Sequence, residues 1–148
     1  MKTAFKVTHN KKNNKDLIDK ISLSYEERFI RRKKLTTDNG KDFLVNLENT
    51  ISVDENYFFE LDNGKLIKII SKKENLIQIT GDNLKQIIWH IGNRHLPCQI
   101  DDNRILIQDD PVILDMILKL NGNIKKVFEK FKPEGGAYGM GRTHSHKH

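Results

Sequence analysis

The spacing of the apolar residues changes once along the chain, near Ser71 to Asn75, and this change limits the folds that the chain can adopt. Before that point, β-branched, aromatic and leucine residues stand between polar ones in short runs, a pattern typical of strands. After it, a run of apolar residues recurs at intervals of three and four, the period of a helix that packs on one side. We therefore predict an all-β first half and a mixed second half.

The first half predicts a small all-β module, which we assign to residues 1–72. Its expected strands are Lys20 to Ser24, Arg28 to Leu35, Asp42 to Asn46, Tyr57 to Leu61 and Leu66 to Ile70. The pairs Asn39-Gly40 and Asn63-Gly64 lie between strand-like runs. Such pairs are typical of hairpin turns in which the central residues have positive φ.

The second half starts with a predicted strand, Leu76 to Thr80, and a helix. The apolar residues at helical spacing are Leu84, Ile87, Ile88 and Ile91. Asp82 stands where it can cap the start of this helix, and Gly92 stands where it can end the helix in the left-handed conformation. The residues between Gly92 and Pro97 are expected to form an exposed loop.

The remaining elements complete a β-α-β-β-α-β order. They are strands from Cys98 to Asp101 and from Arg104 to Gln108, a helix that starts at Pro111 and ends at Asn121 or Gly122, and a strand from Ile124 to Phe131. This is the order of a ferredoxin-like split βαβ domain, which we assign to residues 73–132. Residues 133–148 show no apolar period and are expected to be a flexible tail that contains histidine. The predicted fold class is therefore α+β.

The net charge of +6 suggests a nucleic-acid partner, but the charge is unevenly distributed. Residues 1–41 contain 12 Lys and Arg against 5 Asp and Glu, whereas residues 42–148 contain 14 against 15. Nucleic-acid modules usually also have aromatic stacking residues or a known reading motif, and the sequence shows neither. We predict no nucleic-acid partner, and keep a basic RNA-binding module as an alternative.

The compartment is predicted from three features of the sequence. Its apolar runs fall far short of the roughly 20 residues that span a bilayer, so we expect no membrane partner. The N-terminus has lysines but no apolar segment with a cleavage site, unlike a secretory signal. The single cysteine, Cys98, cannot form an internal disulfide. We therefore expect a cytoplasmic protein.

Three of the six histidines, His144, His146 and His148, lie within the last five residues. In an extended segment, residues at this spacing point to the same side, so three imidazoles can meet at one metal ion. The alternatives are a purification tag or an inert polar end. Since a tag is normally an unbroken run of histidines, and Ser145 and Lys147 interrupt this one, we favour metal binding.

His95 is the second candidate metal ligand, in the loop between Gly92 and Pro97. One histidine makes a poor metal site, and the simplest source of another ligand is the same residue of a second chain across a two-fold axis. His90 lies off the apolar stripe of the helix and is a possible ligand, although a structural role is favoured. Trp89 faces away from that stripe and is expected to be exposed or covered by a partner subunit.

The sequence shows no pattern typical of an enzyme. It has no nucleophile beside a base, no paired carboxylates suited to catalysis and no His-Glu-x-x-His helix. The alternative of this class is a metal-dependent hydrolase in which His90, His95 and a carboxylate such as Asp101 activate water. A lone cysteine in a strand, such as Cys98, is most often a small buried apolar residue. The glycine-rich run 135–141 lacks the context of a phosphate loop and is expected to be a tether.

Two motifs resemble the UreE family of urease accessory proteins, which are nickel metallochaperones. The first is the segment Trp89–Pro97, with the sequence WHIGNRHLP, and the second is the segment Lys132–Gly139, KPEGGAYG, followed by GRTH at 141–144. The two motifs occur in order and at the expected separation, and the β module fits the N-terminal domain of the family. The resemblance thus covers nearly the whole chain.

The resemblance implies a homodimer, formed through the ferredoxin-like domains, in which His95 of each subunit binds one shared nickel ion. The histidines of the tail, His144, His146 and His148, would complete or feed that site. Family members pass nickel to the urease accessory GTPase for insertion into apo-urease, and the β module would contact protein partners. Imidazole also suits zinc and copper, so the choice of nickel depends on the resemblance.

Overall fold

The computed structural model describes residues 1–9 and 15–135, and the chain forms two units. The first unit ends at Lys72 and the second begins at Lys73. Each has its own sheet and its own apolar core. Within the described residues, no helix is long and apolar enough to cross a membrane.

One sheet organises the described part of the first unit. Its strands are β1 (Lys2–His9), β2 (Leu17–Leu23), β3 (Phe29–Thr36), β4 (Asp42–Ser52), β5 (Tyr57–Leu61) and β6 (Leu66–Ser71), in the order β2-β6-β5-β1-β4-β3. β1 is parallel to β4 and β2 to β6, whereas the other neighbours are antiparallel. Val45, Phe59 and Ile69 are fully buried in one core. The prediction of an all-β first half is confirmed.

The sequence interpretation did not predict strand β1, which lies inside the sheet between β5 and β4. Its pairing with β5 shifts register between Ala4 and Lys6, so Phe5 sits at an irregularity of the strand and is exposed. Ala4 and Val7 therefore both contact the core although they are three residues apart. A bulge of this kind removes the alternation by which a strand is recognised.

Both Asn-Gly turns join antiparallel strands, as predicted, but their conformation differs from the expected one. Only the glycines, Gly40 and Gly64, have positive φ, of 86° and 81°, so the prediction of positive φ at Asn39 and Asn63 was wrong. The Gly40 N–H donates to the Thr37 carbonyl at 2.9 Å. This is the form in which an ordinary turn is followed by a left-handed glycine, which suits a three-residue hairpin loop.

The second unit has an antiparallel sheet with two helices packed on it. Its strands are β7 (Lys73–Thr80), β8 (Cys98–Ile100), β9 (Ile105–Gln108) and β10 (Asn123–Lys130), in the order β10-β7-β9-β8, and its helices are α1 (Leu84–Asn93) and α2 (Pro111–Lys119). Ile79, Ile87, Ile105 and Ile117 are fully buried where the helices meet the sheet. The predicted ferredoxin-like order is confirmed, and strand β8 lies at an edge of the sheet.

The ends of helix α1 differ from the prediction. Asn83, not Asp82, is the N-cap residue, and its side chain donates to the Leu120 carbonyl instead of capping the helix. Gly92 does not end the helix, because α1 continues to Asn93 and Gly92 does not have positive φ. The left-handed residue after this helix is His95, with a φ of 58°. At α2 the sequence signals held, since Pro111 starts the helix after the N-cap residue Asp110.

Candidate metal-binding site

His95 lies at the tip of the loop that follows helix α1, where its side chain is exposed. The backbone here closes on the last turn of the helix, because the His95 N–H donates to the Gly92 carbonyl at 3.0 Å and the Leu96 N–H to the Ile91 carbonyl at 3.3 Å. These bonds fix the position of the loop against a rigid element. An exposed imidazole on such a support can bind a metal ion without rearrangement of its own chain.

The backbone conformation of His95 is unusual for a residue other than glycine. Left-handed residues of this kind are a few per cent of the total, with histidine among the enriched types, and they cluster at functional sites. A glycine at this position would relieve the strain. That a histidine stands here instead is an observation that favours a role for the imidazole. The sequence interpretation missed it because Gly92 offered a more obvious left-handed residue.

His90 and Trp89 occupy the last turns of α1, before the His95 loop. The Trp89 side chain is 63% exposed, and the His90 ring is half-buried and meets the Trp89 ring edge to face at a centroid distance of 4.9 Å. Lys85 and Gly92 are exposed with Trp89 along the outer side of the helix. The outer side of α1 thus presents a large apolar ring that leads towards His95.

The start of the predicted tail lies along the outer edge of strand β8. The Lys132 N–H donates to the Gln99 side-chain oxygen at 2.8 Å, and the Glu134 N–H donates to the Cys98 carbonyl at 2.9 Å. The tail therefore runs antiparallel to β8, in the direction of Pro97 and His95. The predicted ligands of the tail, His144, His146 and His148, lie outside the described residues.

A network of charged groups lies close to this segment. Arg104 forms two hydrogen bonds with the Glu129 carboxylate, at 2.7 and 2.8 Å, and one with Asp101 at 2.8 Å. Gln99 donates to both Asp101 oxygens at 3.2 Å. The bonds from Arg104 hold the pKa values of Glu129 and Asp101 below their ordinary range, and those carboxylates raise the pKa of Arg104. The Asp101 carboxylate is thus committed to Arg104 and Gln99.

Cys98 is half-buried and packs against the core of the second unit. Burial raises the pKa of its thiol, and the nearby Glu134 carboxylate raises it further. Both effects disfavour the thiolate, which is the form that binds metal. This geometry agrees with the interpretation of Cys98 as a small apolar residue.

Within residues 1–9 and 15–135, no three His, Cys, Asp or Glu side chains lie close enough to hold a metal ion together. His90, His95 and Asp101 are therefore not brought together as the hydrolase alternative requires. What the described chain offers is one exposed histidine beside an exposed tryptophan on a ferredoxin-like domain. By fold and site this is a small two-unit binding protein.

Comparisons with known proteins give the same picture in more detail. Residues 74–148 match the family model described as the C-terminal domain of the UreE urease accessory protein. The chain is 51% identical over 130 residues to a urease accessory protein UreE from Ruegeria pomeroyi, an alignment that covers 88% of this chain and 87% of that protein. Proteins of the same name from Ruegeria sp. strain TM1040 and Rhodobacter capsulatus are 47% and 44% identical, over 85% and 88% of this chain and 72% and 83% of their own lengths.

The chain belongs to the UreE family of urease accessory proteins. The matched region includes helix α1, the His95 loop and the segment that follows strand β10. Sequence reasoning had named His90 and His95 in this region but had missed Gln99 and Arg104. Single polar residues at the end of a short strand carry no periodic signal, and only the fold shows that they contact the start of the tail.

Proposed function

We propose that this protein carries nickel on a site shared by two copies of the chain, with His95 of each subunit as a ligand. The protein acts as a urease accessory protein, a nickel chaperone in urease maturation, and is not an enzyme. The observation that carries the shared site is the exposed His95, strained into the left-handed conformation at the end of α1. A single imidazole binds metal weakly, and a two-fold axis supplies a second.

The outer side of α1 supports a homodimer of the second unit. Trp89 is a large apolar side chain left 63% exposed in one chain, and such groups are common where a partner covers the surface. Gly92 is exposed in the helix, and a methyl group added there would meet nothing within 4 Å. Nothing in the described part of one chain thus requires this glycine, whereas the close approach of a second backbone would.

The remaining assignments follow from membership of the family. His144, His146 and His148 of the tail complete or feed the His95 site, and His90 is a possible further ligand. The acceptor of the metal is the urease accessory GTPase, in the complex that assembles the active site of urease in the cytoplasm. A site with open coordination positions suits this role, because an acceptor can attack the ion there, unlike a closed structural site.

Nickel is the cargo in this proposal, although zinc and copper also bind imidazole. Intrinsic affinity favours copper over nickel at a site of given ligands, so selectivity comes from geometry and from which metal is available. The basic residues of the β module, concentrated in residues 1–41, suit contact with an acidic protein surface.

Nickel titration by calorimetry tests the proposal on the intact chain, on His95→Ala and on a chain that ends at Gly141. We expect one tight site per two chains in the intact protein and its loss in His95→Ala, whereas removal of the tail lowers only the stoichiometry or the affinity. If binding survives His95→Ala and disappears with the tail, the protein is at most a metal store and the shared site is wrong.

A further inference from the structure

The start of the tail has more order than its composition predicts. Phe131 is fully buried, and the two residues that follow β8 in register, Lys132 and Glu134, donate backbone hydrogen bonds to Gln99 and Cys98. One of these acceptors is a side chain, so the docking depends on a particular residue. A segment of glycine, proline and charged residues does not adopt such a path by its own preference.

Gln99 is held in place by the network of charged groups on its other side. Its amide nitrogen donates to both oxygens of Asp101, and Arg104 ties Asp101 to Glu129. The amide oxygen of Gln99 is thereby turned towards Lys132, where it accepts the backbone hydrogen bond at 2.8 Å. Because Glu129 is on β10, the network joins the strand that leads into the tail to the strand on which the tail docks.

Docking determines where the histidines of the tail can reach. Cys98 lies three residues after His95, a span of at most about 11 Å, and Glu134 lies ten residues before His144. A flexible tether of ten residues has a root-mean-square length of roughly 17 Å, which is comparable to that span. The effective concentration of a tethered ligand is greatest when the two lengths match.

We propose that Gln99 is a positioning residue that docks the start of the tail on strand β8 and so directs the histidines of the tail to the His95 site. The proposal rests on the function proposed above, because it assigns to the tail an effect on nickel binding at His95. Gln99 itself does not contact the metal. Its contribution is the local concentration of the imidazoles that do.

The test compares nickel affinity in four chains: the intact protein, Gln99→Met, and each of these ended at Gly141. The ratio of the affinities of the intact and shortened chains measures what the tail contributes. We expect this ratio to fall by roughly three- to tenfold in Gln99→Met, the usual effect of one hydrogen bond. The two shortened chains should bind nickel equally, which a general structural defect would not allow.

Gln86→Met serves as the matched control, because Gln86 is exposed on helix α1 and lies in the same unit. It should leave the ratio unchanged. A second variant, Glu134→Pro, removes the other donor of the docked segment and should lower the ratio to a similar extent. Amide exchange, measured by NMR, should become faster at Lys132 in Gln99→Met.

Three results would overturn the proposal: an unchanged ratio in Gln99→Met, a ratio of one in the wild type, or unchanged exchange at Lys132. Failure of the shared site is a different result. In that case the chain that ends at Gly141 would bind nickel no more tightly than its His95→Ala version, whatever stands at position 99.

Discussion

His95 combines an exposed imidazole with a backbone conformation that few side chains tolerate. Asparagine adopts the left-handed region about as readily as histidine, whereas a β-branched residue does so at a cost of about 1–2 kcal/mol. These preferences separate the two properties of the position. A variant can lose the ring without straining the loop, or strain the loop as well.

We predict that His95→Asn changes the free energy of unfolding by less than about 0.5 kcal/mol, whereas His95→Val lowers it by about 1 kcal/mol or more. Denaturation without metal, followed by the fluorescence of Trp89, measures this in the second unit, since the chain has a single tryptophan. Equal stability of the two variants would mean that the left-handed conformation is not required in solution.

The ion pair of Glu129 with Arg104 predicts a dependence of stability on pH. Its folded-state pKa lies below the ordinary value of 4.5, so the stabilisation is complete above that pH and is lost as the pH falls through the folded-state pKa. Glu129→Gln should therefore lower the free energy of unfolding most near about pH 7, and the difference from the wild type should shrink towards about pH 3. Urea denaturation across this range measures it.

Glu48→Gln is the control for this prediction, because Glu48 is exposed on β4 in the other unit. It should leave the unfolding followed by Trp89 unchanged at each pH. A Glu129→Gln effect that stayed constant with pH would show that the ion pair is not the cause of the stabilisation.

At the scale of the elements, two glycines beside the helices predict opposite effects of one added methyl group. Gly92 is exposed in helix α1 with nothing within 4 Å of the added group, so Gly92→Ala should raise the stability of the second unit by about 0.5–1 kcal/mol through helix propensity. At Gly122 the added group would meet Ile117 at 2.6 Å and Ile87 at 3.0 Å, so Gly122→Ala should cost about 1–3 kcal/mol.

Denaturation of both variants at a protein concentration low enough for the monomer checks this pair. Destabilisation by Gly92→Ala under those conditions would contradict the interpretation that its own chain leaves that side of α1 open. Stabilisation by Gly122→Ala would mean that Ile117 and Ile87 move aside.

Most elements of the fold could be predicted because each one repeats a simple period. The buried residues Ile87 and Ile91 mark α1 at a spacing of four, and Tyr57–Leu61 alternates as a strand should. The end of α1 could not be predicted, because glycine at 92 is compatible with both a helix and a left-handed end. Strand β1 escaped because the irregularity at Phe5 interrupts its alternation.

The candidate site could be predicted only in part. An exposed histidine between Gly92 and Pro97 was readable as a possible ligand, since the motif is local in the sequence. The docking of Lys132 on Gln99 joins residues 33 positions apart, and nothing in either segment indicates it. Contacts of this kind depend on the order of the strands, which places β8 at an open edge.

At the scale of the whole molecule, a metal ion shared by two chains must couple binding to assembly. Because the ion binds the dimer in preference to the monomer, nickel should strengthen dimerisation, and dimerisation should strengthen nickel binding by the same factor. We predict that nickel lowers the dimer dissociation constant at least tenfold in the wild type and in the chain that ends at Gly141, but not in His95→Asn. Sedimentation of dilute protein with and without nickel measures this.

His9→Asn is the control for the sedimentation experiment, because it removes a histidine from the first unit and should leave the effect of nickel intact. An equal effect of nickel on His95→Asn and the wild type would place the linking ligands elsewhere. Dimerisation that required the tail would point to the same conclusion.

The most direct test of the shared site is native mass spectrometry with less nickel than protein. The account predicts that the metal appears on the dimer as one ion per two chains, that the monomer carries none, and that His95→Asn abolishes the metal-bound dimer but leaves the metal-free dimer in place. Nickel bound to single chains, or a one-ion dimer that persists in His95→Asn, would contradict it.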